Sequence, residues 1–213
     1  MPDRVTLAGR FVRLEPLTMA HAAGLAAAAA ENRATYGYTW VPDGLAGATG
    51  YVDEALAEPT HLPFAVVRLD PAGDRVVGST RFSELAPWRW PTGSPRQRVE
   101  RPDTTEIGHS WLAASAQRGP VNTEAKLLLL THAFEAWQVY RVRLKTDVRN
   151  DRSRRAIERL GARLDGVLRA HQPGADGSVR DSACYSIVAE EWPAVRAGLR
   201  ARLDGRDGAP TRD

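Results

Sequence analysis

The stretch at residues 106–124 combines residue types and a spacing that could hold an anion. An apolar, β-rich run that ends at Leu112 is followed by a short polar loop at residues 114–120, and a helical pattern continues from Val121 to about Trp137. The first N–H groups of a helix have no partner inside the helix, and the helix dipole adds partial positive charge there. The pattern predicts that the loop holds the pyrophosphate of a cofactor and that the strand before it holds the reacting end.

The chain length predicts one domain rather than several. Its 213 residues, of which 43% are hydrophobic and 26% charged, are enough to fill a single core. We expect the domain to span residues 1–203 with a long loop at residues 86–104, and we expect the polar tail at residues 204–213 to be disordered. The N-terminus lacks a signal-type apolar segment and the alanine run is too short to cross a bilayer, which indicates a cytoplasmic protein without a membrane partner.

Charge and cysteine content argue against other kinds of partner. The net charge is +3, and the basic residues are nearly all arginines, with Lys126 and Lys145 the only lysines. Because no block or stripe of charge is present, no nucleic-acid partner is predicted, although a weak nucleic-acid interpretation stays open. Cys184 is the single cysteine, which excludes an intrachain disulfide and favours a buried, inert thiol. The five histidines are scattered singly, so no metal is predicted.

Hydrophobic periodicity predicts a mixed α/β fold, with a twisted sheet of about seven strands and helices on its faces. Period-two segments and Pro/Gly turns predict strands at residues 10–17, 62–69, 75–85, 106–112, 140–146, 162–169 and 182–188. Helical patterns with capping residues predict helices at residues 18–33, 46–58, 121–137, 150–160 and 190–203. The aromatic segment at residues 36–42 is expected either to cover the core or to line a pocket.

Short motifs are distributed along the second half of the chain. They are Glu106-Ile107-Gly108, Thr123-Glu124-Ala125, Asn150-Asp151-Arg152-Ser153, Leu160-Gly161-Ala162, Arg180-Asp181, Tyr185-Ser186-Ile187 and Glu191-Trp192. Together with the order of elements, over about residues 8–203, they resemble the GNAT N-acetyltransferase superfamily and its RimJ/RimL-like branch. The resemblance implies a sheet splayed between its fourth and fifth strands, acetyl-CoA as the donor and a primary amine as the acceptor. A homodimer is compatible with this branch.

The resemblance also implies how acetyl-CoA is held. Backbone groups of Trp111, Leu112 and Ala113 would pair with the pantetheine arm, and Asn150 would hydrogen-bond its amide. The pyrophosphate would lie on N–H groups of the loop and helix start, which are those of Gln117, Arg118, Gly119, Val121, Asn122 and Thr123. Candidates for the 3′-phosphate are Arg118, Arg152 and Arg154, because a guanidinium fork suits phosphate oxygens.

Two positions depart from the family pattern. Pro120 follows the single loop glycine and has no N–H to offer a phosphate. Ile157 stands where many members of the superfamily have a tyrosine that protonates the leaving thiolate. These departures keep open an alternative interpretation, in which the chain is a non-catalytic acyl-CoA-binding module of the same fold.

Glu106 and Ser153 are the candidate catalytic residues. Glu106 lies eleven residues before Gln117, the offset of a catalytic glutamate in the superfamily, and it could accept the proton of the attacking amine. The alternative is a structural carboxylate that pairs with an arginine. Ser153, one turn after Asn150, could hydrogen-bond or protonate the thiolate, or it could be a capping or solvent-facing hydroxyl. A backbone N–H, that of Leu112, would polarise the thioester carbonyl.

The candidate acceptor-binding residues are Tyr38, Trp40, Arg81, Trp88 and His109. Arg81 would suit an acceptor that carries a carboxylate, but an ordinary surface arginine fits the same pattern, and His109 could be a structural histidine. His171 and Gln172 stand where RimL-like enzymes tend to have a second acid, which argues against a ribosomal-protein substrate. The resulting prediction is acetyl transfer from acetyl-CoA to a primary amine of a small molecule or of a peptide N-terminus.

Overall fold

The computed structural model describes residues 3–97 and 101–205. The described strands are β1 Leu7–Ala8, β2 Val12–Pro16, β3 Leu62–Arg68, β4 Arg75–Ala86, β5 Thr104–Leu112, β6 Arg141–Asp147, β7 Arg163–Pro173 and β8 Val179–Val188. The described α-helices are α1 Ala22–Ala30, α2 Gly44–Ala57, α3 Val121–Thr131, α4 Asp151–Leu160 and α5 Trp192–Asp204. Nearly all of the predicted tail, residues 206–213, lies outside the described residues, as do residues 98–100 of the predicted loop.

The strands form a single sheet in the order β1-β2-β3-β4-β5-β6-β8-β7. Every neighbouring pair is antiparallel except β5 and β6, which run parallel, so the predicted mixed sheet is confirmed. The described residues form eight strands rather than seven because Leu7 and Ala8 pair with Leu14 and Arg13. The last hairpin folds back so that β8 lies between β6 and β7, an order that the pattern of strands did not predict.

Helices cover both faces of the sheet. Helices α1 and α2 pack on each other and on β3 and β4, whereas α3 contacts α5, which contacts α4. Two adjacent residues of β5 show that α2 and α3 lie on opposite faces of the sheet, since successive side chains of a strand point to opposite faces. Trp111 packs edge-on against Tyr51 of α2, and the Ser110 hydroxyl contacts Lys126 of α3. The face with α1 and α2 is called the α2 face below.

Two predicted helices are shorter than expected. The segment predicted at residues 18–33 begins with a 3₁₀ turn, Met19–His21, and α1 ends at Ala30. The helix predicted to run without interruption to Trp137 changes at His132 into a π-helical turn, in which the N–H of Trp137 donates to the His132 carbonyl at 3.1 Å. The ring centroids of His132 and Phe82 each lie 4.6 Å from that of Trp137. The wider turn therefore occurs where three large rings pack together.

The sheet opens between β5 and β6, which are the fourth and fifth of the strands predicted from the sequence, so the predicted position of the gap is confirmed. The two strands pair only through Thr104, Thr105 and Glu106 of β5. Beyond Glu106, β5 continues to Leu112 paired with β4 alone. The register of β4 and β5 shifts near His109, whose φ is +51°, so a β-bulge bends the strand at the start of the gap.

Gly78 holds β4 close to β5 at this gap, and replacing it is expected to destabilise the protein. Its φ is +157°, and a Cβ atom there would lie 2.1 Å from the carbonyl oxygen of Trp111. Because that oxygen belongs to backbone and cannot move aside, we expect Gly78→Ala to cost about 3 kcal/mol in urea denaturation. Gly50→Ala is the matched control, since Gly50 lies in α2 with nothing within 4 Å of its would-be Cβ. Equal stability of the two variants would contradict the prediction.

Candidate active site

Of the residues predicted to pair with the pantetheine arm through their backbone, one on the free edge of β5 has its backbone groups directed into the gap. The N–H of Ala113 donates to the Val77 carbonyl at 2.7 Å, so Ala113 is already engaged with β4. Because backbone groups alternate sides along a strand, those of Trp111 point the same way and those of Leu112 point into the gap. The Leu112 carbonyl accepts a hydrogen bond from the Gln117 side chain at 2.9 Å. Of the three predicted pantetheine partners, only Leu112 therefore has backbone groups directed into the gap.

The loop after β5 leads directly into the N-terminus of α3. A 3₁₀ turn, Ala114–Ala116, follows the strand, and Arg118 adopts a left-handed conformation with φ of +61°. Gly119 is open, because a Cβ there would have its nearest contact with a carbonyl oxygen 4.0 Å away. The helix begins after Pro120, whose carbonyl accepts from the N–H of Glu124 at 2.9 Å. Val121, Asn122 and Thr123 form the first turn, where N–H groups have no intrahelical partner.

Helix α4 brings Arg152 and Asn150 to this side of the sheet, but it turns Arg154 elsewhere. Arg152 donates to the Gln117 side chain at 3.1 Å and also to the Thr35 carbonyl. Arg154 instead donates to the hydroxyl of Tyr185 at 3.2 Å and to the Val148 carbonyl at 3.4 Å. The predicted phosphate-binding arginines are therefore not brought together as a set, and Arg152 is the one joined to the loop.

The start of α4 is built by Asn150 and Ser153. The side-chain oxygen of Asn150 accepts from the backbone N–H of Ser153 at 3.0 Å, which is a helix N-cap. The cap occupies the oxygen of Asn150, so its amide NH₂ group is the part that is suited to donate to a ligand. Because the backbone of Ser153 makes the cap, its hydroxyl is not the capping group that the alternative interpretation supposed.

Glu106 lies where β5 and β6 separate. It is 4% exposed, and its Oε1 atom is 3.2 Å from Nζ of Lys145 on β6. Burial raises the pKa of Glu106, and the ammonium of Lys145 opposes this shift without cancelling it. Lys145 also lies 3.3 Å from Glu84, so its charge is shared between two carboxylates. A buried carboxylate with an elevated pKa therefore faces the base of the gap, and its cation is a lysine rather than an arginine.

A cavity of about 410 Å³ lies beside Glu106 on the sheet. Its lining includes Glu84, Lys145, Leu168, His171 and Cys184. Cys184 is half-buried rather than fully buried, and burial raises the pKa of its thiol, which keeps it protonated. Sequence reasoning missed Glu84 and Lys145, although the alternation of β6 predicts that Arg143 and Lys145 share one face.

The predicted acceptor residues occupy different environments. Arg81 is 2% exposed on the α2 face, so it is not a surface arginine, and the His109 ring lies 5.7 Å from that of His61. Tyr38 stacks under the Arg149 guanidinium at 4.7 Å. Arg81 and His109 thus share His61 as a neighbour, whereas Tyr38 contacts a different residue, Arg149.

Trp40 and Trp88 differ from each other in packing. Trp40 is 71% exposed. Trp88 stacks on Tyr140 with the ring centroids 5.3 Å apart, and its backbone N–H donates to the Asp103 carboxylate at 2.7 Å. The first part of the long loop is therefore anchored to the start of β6 by Trp88.

Within residues 3–97 and 101–205, no group of three His, Cys, Asp or Glu side chains could hold a metal ion. Over the same residues, the helices are too short or too polar to cross a bilayer.

Comparison with known proteins identifies the family. Residues 12–163 match the family described as "Acetyltransferase (GNAT) domain". The chain is similar to YdaF of Bacillus subtilis (strain 168), whose name provisionally assigns it as a ribosomal N-acetyltransferase, with 33% identity over 87 residues. The matched segment is 41% of this chain and 46% of that protein, so it spans less than half of this relative.

Solved structures share the fold over nearly the whole chain. A GCN5-related N-acetyltransferase from Brucella melitensis is 31% identical with a TM-score of 0.77, over 95% of this chain and 86% of that chain. RimJ of Mycobacterium smegmatis has the same fold, with a TM-score of 0.72 at 23% identity over 93% of this chain and 95% of its own. The family prediction made from the motifs is confirmed, and this chain belongs to the GNAT acetyltransferase family.

Proposed function

We propose that this protein is an acetyl-CoA-dependent N-acetyltransferase, which transfers the acetyl group to a primary amine by direct attack in a ternary complex. One observation carries the proposal: the free edge of β5 has the buried Glu106 carboxylate at one end and the loop and α3 N-terminus at the other. The RimJ structure of M. smegmatis contains CoA-disulfide, and a microcin self-immunity acetyltransferase of the same fold contains acetyl-CoA and AMP. Both bound ligands agree with a CoA donor.

Several groups of this chain suit acetyl-CoA. The N–H of Leu112 would donate a hydrogen bond to acetyl-CoA in the gap. The backbone at Gly119 could approach a phosphate oxygen closely, because no side chain stands in the way. The N–H groups of Val121, Asn122 and Thr123 would complete an anion site at the helix N-terminus. Arg152 adds a guanidinium beside Gln117, although Pro120 contributes no donor. We therefore expect binding through the helix start more than through the loop.

Acetyl transfer needs a neutral amine, a polarised carbonyl and a partner for the thiolate. Glu106 would accept the proton that the acceptor amine loses, a role that its raised pKa favours. The N–H of Leu112 would stabilise negative charge on the carbonyl oxygen, and the Ser153 hydroxyl would donate to the departing sulfur. An α-amine has a pKa of roughly 7.7–8.0 against about 10.4 for a lysine side chain, so α-amines need less help from the base.

A second candidate, a non-catalytic acyl-CoA-binding module, is favoured by Ile157. This side chain is 7% exposed in the core, so no acid stands at that position. Calorimetry with acetyl-CoA followed by thiol-release assays on an amine panel separates the two candidates. Binding without turnover on any amine would favour the module, and absence of CoA binding would exclude both.

The location and assembly of the protein remain predictions. We propose a cytoplasmic enzyme without a nucleic-acid or membrane partner, and sedimentation would test the expected homodimer. A ribosomal-protein substrate is not favoured, because His171, whose ring hydrogen-bonds Ser182 at 3.0 Å, stands at the position where RimL-like enzymes tend to have a second acid.

Substitution of Glu106 and Ser153 tests the proposed chemistry. We expect Glu106→Gln and Ser153→Ala each to lower kcat/KM by about 10²-fold, the usual effect of losing one proton donor or acceptor. Glu106→Gln should also flatten the rise of kcat/KM with pH on the acid side, since its amide cannot titrate. The cap made by the Ser153 backbone remains in Ser153→Ala, so its melting temperature should be unchanged. Full kcat/KM for both variants from about pH 6 to 9 would refute these roles.

A further inference from the structure

Arg81, Tyr51 and Trp111 form a cluster on the α2 face, and each has one buried polar atom without a hydrogen-bond partner among the described residues. Arg81 is 2% exposed and Trp111 is 4% exposed. The guanidinium carbon of Arg81 lies 5.3 Å from the centroid of the Tyr51 ring, and the Tyr51 and Trp111 rings are 6.4 Å apart. Within the described residues, the Nε atom of Arg81, the hydroxyl of Tyr51 and the Nε1 atom of Trp111 are all buried without a hydrogen bond. All three can donate, so the missing partner is an acceptor.

The charge of Arg81 is also uncompensated. Its one polar contact among the described residues is with Nδ1 of His61, at 3.3 Å from Nη1. Among the described residues, the acidic groups near this site make no ion pair with Arg81 within 4.0 Å; they are Glu54 of α2, Glu58 just after α2, Glu84 of β4 and Glu106 of β5. Burial and the Arg81 guanidinium lower the pKa of His61, so that ring is neutral near pH 7. A buried guanidinium is costly unless an anion pairs with it.

The cluster lies next to the carboxylate that would accept the amine proton. Arg81 is the cross-strand partner of Gly108, so the two residues face the same side of the sheet. Glu106 precedes Gly108 by two positions and shares that face, and its Oε1 atom is 3.2 Å from where a Cβ of Gly108 would be. Gly108, which has no side chain, therefore lies on the same face between the Glu106 carboxylate and the Arg81 guanidinium.

We propose that Arg81, Tyr51 and Trp111 form an anion site for the carboxylate of the acceptor, which is then a small molecule carrying both a primary amine and a carboxylate. The proposal rests on the proposed function, and it narrows the acceptor to amino acids and similar amino-carboxylates. The incoming carboxylate takes the place of the half-buried His61 ring on Arg81, because a neutral imidazole is a weaker partner than an anion. The amine then lies toward Glu106, which takes its proton as the nitrogen bonds to the acetyl carbon and the carbon–sulfur bond breaks.

Matched acceptors that differ only at the carboxylate test the proposal. Thiol release from acetyl-CoA is measured for natural amino acids and for their amides. We expect wild-type kcat/KM to favour the acids by about 10²-fold, because buried donors are left unpaired by the amide. Arg81→Met should bring this acid-to-amide ratio close to one, chiefly by lowering kcat/KM for the acids. A wild-type ratio near one, or a ratio that survives in Arg81→Met, would overturn the proposal.

Two further variants separate recognition from folding. Arg75→Met changes an exposed arginine of the same strand and should alter neither ratio nor melting temperature. His61→Ala removes the competing ring and should lower KM for the acids only. Arg81→Met should not lower the melting temperature, because an apolar side chain replaces an unpaired buried charge. Should Arg81→Met fail to fold, Arg81→Lys keeps the charge without the fork and should still reduce the acid-to-amide ratio.

A binding measurement keeps the two proposals distinguishable. If wild type turns over no amine, the proposed function fails, and calorimetry of N-acetyl amino acids and their amides with the CoA-bound protein tests the anion site alone. Tighter binding of the acids that Arg81→Met abolishes would support the site. Equal binding of acids and amides would overturn it.

Discussion

Replacing Glu124 with alanine is expected to destabilise the protein by about 4 kcal/mol, because its carboxylate is the acceptor for three consecutive backbone N–H groups. Glu124 is 6% exposed in the first turns of α3. Its oxygens accept from the N–H groups of Arg10, Phe11 and Val12 at 2.9, 2.6 and 2.8 Å. Alanine would leave these three donors without their acceptor at the turn that joins β1 to β2, where Val12 is fully buried and Phe11 is half-buried.

Urea denaturation measures this effect, and two other variants calibrate it. Glu124→Gln keeps the shape but turns an NH₂ group toward backbone donors, so it should cost nearly as much. Gly9→Ala attacks the same contact from the other side, since a Cβ there would lie 2.5 Å from the carboxyl carbon of Glu124. Asp53→Ala, at an exposed position of α2, should change stability by less than about 0.5 kcal/mol. A cost for Glu124→Ala as small as that of Asp53→Ala would contradict the account.

The elements around the gap were predicted because their signals are local. The strand that ends at Leu112, the loop and the helix that begins at Val121 follow from periodicity and capping within a few residues. The strand Leu7–Ala8 was missed because two residues carry no period. The order of β7 and β8 was missed because a hairpin can add to a sheet by either of its strands, and packing alone selects one.

The roles of buried polar residues were harder to predict, since they depend on distant partners. The sequence identifies Glu124 only as part of a helix-opening motif, because the backbone N–H groups that it binds lie 112 to 114 residues earlier in the chain. The sequence left Arg81 undecided between a carboxylate site and an exposed surface, because alternation along β4 does not reveal that α2 covers that face. The cap made by Asn150 spans three residues, and such local geometry is what the motif encodes.

Lys126 is a second buried charge with partners that sequence reasoning did not identify. It is 6% exposed in α3, and its Nζ atom donates to the Ser110 hydroxyl at 2.6 Å and to that of Thr80 at 3.4 Å. No carboxylate among the described residues lies within 4.0 Å of it. Burial lowers the pKa of Lys126 from 10.5 to about 7. The protonated form is therefore disfavoured in the folded protein but not in the unfolded chain.

The sign of the pH dependence follows from these two pKa values. Between about pH 7 and pH 10.5 the unfolded chain binds a proton that the folded protein has released, so the contribution of Lys126 to stability becomes more favourable as pH rises. Below about pH 7 both states are protonated and the folded protein carries the full penalty. At about 1.36 kcal/mol for each pKa unit, this penalty approaches roughly 5 kcal/mol.

We therefore expect Lys126→Met to stabilise the protein by about 4 kcal/mol at pH 6, and by about 1 kcal/mol or less at pH 10. Methionine fills the same length of core without a charge, and the hydroxyls of Ser110 and Thr80 remain hydrogen-bonded to each other at 2.7 Å. Urea denaturation of variant and wild type at both pH values gives the difference, in which other titrating groups cancel. Lys126→Arg is the control, because a guanidinium cannot lose its proton and should destabilise the protein at both pH values. A gain for Lys126→Met that is equal at pH 6 and pH 10 would mean that the ammonium is already stabilised in the fold, and that the two hydroxyls suffice as its partners.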